Sequence, residues 1–162
     1  MLYFWDMGYE AASLQGLLKT MKISRSSFYQ TFNSKHELFQ LCVKQYRDML
    51  RKELLTSLKE SKSGRGFIEH FFYSRADDAD KPISKQGCLV MNTATELGQK
   101  DTVIADLITD STDKIAQVFY DAIIFAQSQG DISPEKDPAV LSQYLLCNLT
   151  GLHTLLKTGK DK

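Results

Sequence analysis

The chain has few of the residues that mark several common classes of protein. Its 162 residues include three cysteines at widely separated positions, which argues against a disulfide framework and predicts a reduced, cytoplasmic protein. Three prolines and the lack of Gly/Ser-rich linkers exclude long disordered segments. The longest purely apolar run, residues 122–126, is far too short to cross a bilayer, so no membrane partner is expected. The start MLYFWDM lacks the basic region and cleavage site of a signal peptide.

The net charge of zero conceals an asymmetry between the two parts of the chain. Residues 1–62 carry ten Lys and Arg against six Asp and Glu, whereas residues 63–162 carry ten against fourteen. An N-terminal part with excess positive charge suits contact with phosphates, and the C-terminal part does not.

Apolar residues recur with the period of a helix along the whole chain, and strand-like alternation is missing. The spacing predicts an all-α fold with helices at about residues 1–7, 13–20, 24–31, 34–61, 65–75, 84–98, 101–130 and 137–158. Asp137 is the expected N-cap of the last helix, with Pro138 in its first turn.

Residues 8–38 contain two short helical patterns joined by a tight turn and followed by a longer helix. Ser13 and Ser24 stand where N-caps belong, and Phe28 and Phe32, four residues apart, point inward. The outer surface of the second short helix then carries polar groups suited to phosphates and base edges: Arg25, Ser26, Ser27, Tyr29, Gln30 and Thr31. This is the layout of a helix-turn-helix DNA reader.

The next helix opens with a capping box, in which Ser34 precedes Glu37 by three residues. Lys35 lies in its first turn beside free backbone N–H groups, which predicts a phosphate contact.

This stretch resembles the DNA-binding domain of the TetR family of transcriptional regulators. The matching positions are Gly8-Tyr9, Ala11, Ser13, Ile23-Ser24, Ser27-Phe28-Tyr29, Phe32, Ser34-Lys35 and Leu38. Further along, a looser likeness to the ligand-binding domain of many members is carried by Gly87-Cys88-Leu89, Asn92 and Glu96-Leu97.

The resemblance implies an N-terminal DNA-binding domain over residues 1–45 and a helical ligand-binding and dimerisation domain over residues 46–162, joined by helix 34–61. It implies a homodimer, most simply a repressor, that places residues 24–31 in the major groove of a palindromic operator and responds to a small-molecule effector. The DNA-binding residues that it implies, together with those on the exposed surface, are Ser13, Gln15, Arg25, Ser26, Ser27, Tyr29, Gln30, Thr31 and Lys35. Tyr29, Lys35 and Ser13 would contact phosphates, whereas Arg25, Ser27, Gln30 and Thr31 would read bases.

The chain also departs from the family pattern. The family's first helix runs for another turn or more before the position of Leu2. Lys22 stands in place of the turn glycine and is expected to adopt a positive φ at a cost of about 1 kcal/mol. Gly16 lies inside a helix, where glycine costs about 1 kcal/mol relative to alanine.

Two apolar stripes on the last helices predict a dimer interface. Its expected residues are Ile115, Phe119, Ala122, Leu141, Leu145, Asn148, Leu152 and Leu155. The alternative is that both stripes fill the core of one subunit.

A ligand pocket is expected among aromatic and polar residues of the C-terminal part, namely Phe67, Phe71, Met91, Asn92 and Thr95. The alternative is that these residues belong to an ordinary core.

The sequence has no spacing typical of a metal site, no cofactor motif and no paired catalytic groups, so an enzyme is not expected. Two alternatives to a DNA-binding regulator stay open. One is a degenerate helical dimer with weak or no DNA binding that acts through small molecules or protein contacts. The other is a small-molecule binding or hydrolytic helical protein.

Overall fold

The computed structural model describes residues 1–78, 81 and 84–158, and these residues form helices without any strand. Within them, eight α-helices follow one another: α1 (Leu2–Met7), α2 (Leu14–Met21), α3 (Arg25–Phe32), α4 (Lys35–Glu60), α5 (Gly64–Asp77), α6 (Leu89–Leu97), α7 (Thr102–Ser128) and α8 (Pro138–Lys157). A 3₁₀ turn at Ser84–Gln86 precedes α6. The expectation of an all-α fold is confirmed, and no described helix has the length and apolarity needed to cross a membrane.

Side-chain caps start the helices of the N-terminal part, as the sequence predicts. The hydroxyls of Ser13, Ser24 and Ser34 each accept a hydrogen bond from the backbone N–H three residues later, at 3.0 or 3.1 Å. Asp137 caps α8, with Pro138 in the first turn. Caps of this kind stabilise a helix by about 1 kcal/mol each, which explains why the short helices α2 and α3 are well defined.

The capping box at the start of α4 is only half formed. Ser34 accepts from the backbone of Glu37, but the Glu37 carboxylate accepts from the side-chain amide of Asn33 at 2.8 Å. Asn33 itself ends α3 with a positive φ of 55°. Lys22 adopts a φ of 56° after α2, as expected from its place at the family's turn glycine.

The expected helix over residues 84–98 is interrupted. Gly87, with a φ of 69°, separates the 3₁₀ turn from α6, and the side-chain amide of Asn92 donates to the carbonyl of Gln86 at 2.8 Å. Because an L-residue is strained at this φ, the glycine permits a break that the apolar period does not reveal.

Two hydrophobic cores hold the helices together. The first contains Phe4, Phe28 and Phe39 from the N-terminal helices and also Ile104 and Leu107 from α7. It therefore joins residues on both sides of the boundary expected at residue 45. The second core packs α4, α5, α7 and α8 around four aromatic or large aliphatic side chains: Leu54, Phe67, Phe71 and Phe119.

Three residues expected at a dimer interface lie in this second core instead. Ile115, Phe119 and Ala122 are at most 5% exposed within the single chain, beneath α4 and α5. Their burial within one chain agrees with the alternative that this stripe fills the core of one subunit, and an interface role for these three residues stays an untested prediction.

The outer face of α7 and α8 is different. Ile124 and Phe125 on α7 are partly exposed, and Val140, Tyr144 and Leu155 on α8 are more than half exposed. The five residues of α8 expected at the interface, Leu141, Leu145, Asn148, Leu152 and Leu155, are all accessible to some degree. The apolar surface open to a partner is therefore formed mainly by α8.

Candidate nucleic-acid interface

Helices α2 and α3 form the helix-turn-helix unit, joined by a turn at residues 22–24. Phe28 is completely buried and packs against Phe32 with a ring centroid distance of 5.5 Å. Leu17 of α2 is buried in the same core. These contacts fix the rotation of α3 about its axis, because its only fully buried residue determines which side faces solvent.

The opposite side of α3 presents the residues that the sequence singles out. Arg25, Ser26, Ser27, Tyr29, Gln30 and Thr31 are all exposed and lie on one short helix. Among the described residues, the side chains of Arg25 and Gln30 make no hydrogen bond within the chain. Their donors and acceptors are therefore free for base edges or phosphates.

The smaller hydroxyl groups on this face are partly used within the helix. Thr31 donates to the carbonyl of Ser27 at 2.9 Å, and the hydroxyls of Ser24 and Ser27 lie 2.9 Å apart. Thr31 keeps its oxygen lone pairs for a donor on the DNA. The Tyr29 ring stands edge-on to Phe28, at a centroid distance of 5.4 Å, and is 45% exposed.

Helix α2, which precedes α3 in the helix-turn-helix unit, also carries exposed polar residues. Ser13 and Gln15 are both exposed there. Two further exposed cations, Lys19 and Lys22, end α2 and enter the turn. These lysines are not among the DNA-binding residues expected from the sequence, although their place in the basic N-terminal part indicates phosphate contact.

Lys35 is held inside the fold. Its ammonium group donates to the carbonyls of Tyr9 and Ala12 at 2.9 and 3.0 Å and lies 4.3 Å from the centre of the Tyr9 ring. Lys35 therefore stabilises the turn between α1 and α2. Its role as a phosphate contact stays a prediction that depends on its remaining N–H.

Two carboxylates of the C-terminal part form hydrogen bonds with residues of the N-terminal part. Glu96 on α6 accepts from the backbone N–H groups of Tyr9 and Glu10 at 2.9 and 2.8 Å. A Cβ at Gly8, which has a φ of 76°, would lie 3.0 Å from the Glu96 carboxylate, so glycine allows this close approach.

The second carboxylate is Asp101, which accepts a hydrogen bond from Nε2 of the His36 ring at 2.7 Å. The backbone N–H of Ile104, followed by the His36 ring, holds the pKa of Asp101 below its usual value. Neither Glu96 nor Asp101 was selected from the sequence, because their partners lie 65 or more residues away in the chain.

The residues expected to form one ligand pocket are divided among three places. Met91, Asn92 and Thr95 line a cleft of about 520 Å³ between α1, α6 and α8. Phe71 lines a separate cavity of about 240 Å³. Phe67 is completely buried against Phe71 and Phe119 and lines neither of these two spaces, so its place in a ligand pocket stays a prediction.

Together, an exposed reading helix, a basic surface around it and a second helical domain with cavities define a helix-turn-helix transcription regulator. Comparison with known families agrees. Residues 3–42 match the family described as "Bacterial regulatory proteins, tetR family", and residues 67–162 match "Tetracyclin repressor-like, C-terminal domain". The chain belongs to the TetR family of transcriptional regulators.

Individual relatives are similar along nearly the whole chain. The HTH-type transcriptional regulator YezE of Bacillus subtilis (strain 168) is 28% identical over 98% of this chain and 82% of the relative. The HTH-type transcriptional repressor ComR of Escherichia coli (strain K12) is 25% identical over 98% of this chain and 76% of the relative.

Solved structures share the fold. One is a cysteine mutant of the TetR family regulator CifR, complexed with a 26-bp double-strand operator DNA. It has a TM-score of 0.82 at 22% identity, and the match covers 98% of this chain and 83% of that one. The reduced form of NemR from E. coli has a TM-score of 0.88 at 16% identity, with 98% of this chain covering 82% of that one.

Proposed function

We propose that this protein is a ligand-responsive repressor that binds a palindromic operator as a homodimer. The observation that carries the proposal is the exposed polar side of α3, held outward by the buried Phe28 on its other side. In this arrangement α3 enters the major groove, and the neighbouring α2 meets the backbone.

The residues of α3 divide into two roles. Arg25 and Gln30 carry long side chains with free hydrogen-bonding groups and are assigned to base edges, with Ser27 and Thr31 beside them. Tyr29, with Ser13 and Gln15 at the start of α2, is assigned to phosphates. Ser26 is small enough to let the DNA backbone come close.

A titration of duplex DNA tests these roles. Fluorescence anisotropy with promoter DNA from the protein's own locus, at several salt concentrations, is expected to give specific binding tighter than for scrambled DNA. Tyr29→Ala is expected to weaken binding to every sequence, because a phosphate contact is independent of the base. Gln30→Ala is expected to change the preferred sequence, with Arg51→Ala, an exposed arginine far along α4, as the control.

Two results would contradict the proposal. Sequence-independent, micromolar binding at physiological salt would favour the degenerate dimer, for which the engagement of Lys35 within the fold is the supporting observation. An unchanged site preference in Gln30→Ala would remove the base-reading assignment.

The homodimer is proposed to form through the outer face of α7 and α8. Tyr144 and Leu155, together with Ile124 from α7, expose apolar surface that water does not favour. Asn148 and the adjacent Gly151 are exposed on the same helix, where glycine permits close approach of a second helix. A two-fold axis through this face makes the interface self-complementary, as a palindromic operator requires.

The effector is proposed to bind within the C-terminal domain, next to α1. The cavity of about 240 Å³ and the larger cleft both include Trp5 in their walls. Because α1 belongs to the same core as α2 and α3, a molecule that moves Trp5 also moves the reading unit. This is the physical link by which a ligand would alter operator binding.

A further inference from the structure

The cavity of about 240 Å³ lies between α1, α4, α5 and α8 and has a mixed wall. Its apolar part includes aromatic rings of three of these helices: Trp5, Tyr46 and Phe71. Its polar part includes Arg75 and His153, with Glu53 at the edge. A flat apolar body with one polar group fits such a wall.

Two polar atoms on this wall are buried without a partner among the described residues. They are Nε of Arg75 and Nδ1 of His153. A buried donor or acceptor that makes no hydrogen bond costs free energy, and such groups in native proteins usually face water or a ligand. Both residues line the same cavity, so a group bound there lies beside both side chains and can supply the missing partners after a small side-chain rotation.

The guanidinium of Arg75 is only partly used. Its Nη2 donates to the Glu53 carboxylate at 3.0 Å, and its Cζ lies 5.1 Å from the centre of the Phe71 ring. The Glu53 side chain is 64% exposed, whereas that of Arg75 is 28% exposed. Water therefore screens the negative charge of Glu53 more than the positive charge of Arg75, which leaves the cavity wall with a net attraction for an anion.

His153 adds a neutral hydrogen-bonding group. Burial, followed by the nearby charge of Arg75, lowers the pKa of His153 to about 4, so the imidazole is uncharged at neutral pH. One ring nitrogen then donates and the other accepts. A carboxylate is the group that takes a donor from Arg75 and, on its second oxygen, a donor from the neutral ring.

We propose that this cavity binds a small organic acid, with the carboxylate on Arg75 and His153 and an apolar body of one or two rings against Trp5, Tyr46 and Phe71. The inference rests on the proposed ligand response and names the chemical class of the effector. The occupant contacts α1 directly, because Trp5 of α1 lines the cavity. Trp5 is itself held in place, since it packs edge-on against Tyr46 at 4.9 Å and donates from its indole N–H to the carbonyl of Gly87 at 3.2 Å.

The experiment uses the fluorescence of Trp5, which is the only tryptophan of the chain. The full-length protein is titrated with benzoate, phenylacetate and 3-phenylpropionate, each compared with its carboxamide of the same shape. At least one acid is expected to bind saturably and about tenfold or more tightly than its amide, since hydrogen bonds to charged groups are the stronger ones.

Variants test the assignment to Arg75. Arg75→Gln is expected to remove the preference for the acid, and Arg75→Lys to retain part of it, because the charge stays but the Nε donor is lost. Glu53→Gln is expected to strengthen acid binding, since a competing and repelling carboxylate is removed. Arg51→Gln, an exposed arginine on α4, is the matched control and is expected to leave binding unchanged. Circular dichroism verifies that each variant is folded.

The proposal is overturned if no acid binds saturably, if acid and amide bind equally, or if folded Arg75→Gln keeps the native preference. Operator binding, measured by anisotropy on the same samples, separates this failure from failure of the proposed function. If only the amides release the operator, the protein is still a ligand-responsive regulator, but its effector is not an organic acid. An absence of specific operator binding in a protein whose Trp5 signal still distinguishes acid from amide would overturn only the regulatory function.

Discussion

His153 is the residue whose surroundings differ most from what the sequence indicates. It lies on α8 and lines the cleft of about 520 Å³, the cavity of about 240 Å³ and a third space of about 30 Å³ between α4, α6, α7 and α8. In the sequence it has no partner at a spacing typical of a metal site or of a catalytic pair. Its significance comes from Arg75 and Trp5, which approach it from distant parts of the chain.

The lowered pKa of His153 has a consequence for stability. The pKa is about 4 in the folded protein and 6.5 in an unfolded chain, so between these values the unfolded chain binds a proton that the folded protein does not. The stability of the native state is therefore expected to fall as the pH decreases from about 6.5 towards 4. Between pH 7 and pH 5 this single group accounts for about 2 kcal/mol of the loss.

Urea unfolding at pH 7 and pH 5 measures this effect. His153→Gln is expected to lose about 2 kcal/mol less than the native protein over the same interval. His70→Gln, at an exposed histidine on α5, is the control and is expected to behave like the native protein. An identical loss in the native protein and in His153→Gln would show that His153 titrates normally.

At the scale of single elements, α3 illustrates what local sequence determines. The N-cap, the inward Phe28 and the polar outer face follow from residues within one short segment, and the structure has all three. Helix α7 illustrates the opposite. The apolar stripe of Ile115, Phe119 and Ala122 would suit either a dimer interface or the core of one subunit. It lies in the core because α4 and α5 pack over it, and the sequence of α7 does not reveal that packing.

The position of Gly87 shows a second limit of local reasoning. The segment over residues 84–98 has a helical period throughout, and one positive φ divides it. Of the walls of the candidate pocket, only Phe71 was expected from the sequence, because the other wall residues come from helices that are distant along the chain. Periodicity identifies which face is apolar, but it does not identify the neighbour that covers that face.

Two serines at the start of α3 give a prediction for this element. Ser24→Ala removes the cap and is expected to lower the free energy of unfolding by about 1 kcal/mol. Ser26→Ala, at an exposed serine without a capping hydrogen bond, is expected to change it by less than about 0.5 kcal/mol and to leave operator binding nearly unchanged, because alanine is no larger than serine. Chemical unfolding and DNA anisotropy on both variants distinguish the two roles, and equal losses of stability would contradict the capping assignment.

At the scale of the whole molecule, a single chain leaves the apolar face of α8 uncovered. Tyr144→Glu puts a charge into the proposed two-fold interface and is expected to weaken the dimer about thirtyfold or more, as loss of a central aromatic contact does. Tyr73→Glu makes the same change at an exposed tyrosine on α5 and serves as the control.

Sedimentation velocity over a range of protein concentrations measures the two dissociation constants. Tyr144→Glu is expected to sediment as a monomer at concentrations where the native protein and Tyr73→Glu are dimers. If all three sediment alike, the subunits associate through another surface.

The shared first core also bears on how such proteins can be recombined. Phe39 of α4 and Ile104 of α7 lie in the same cluster, with Val90 and Leu97 between them in the chain. A chimera that joins this N-terminal segment to another sensor at residue 45 would expose these side chains to mismatched neighbours. New operator specificities are therefore better introduced by replacing only the solvent side of α3, or by transplanting α1–α3 and the first turns of α4 together with α6 and the first turns of α7.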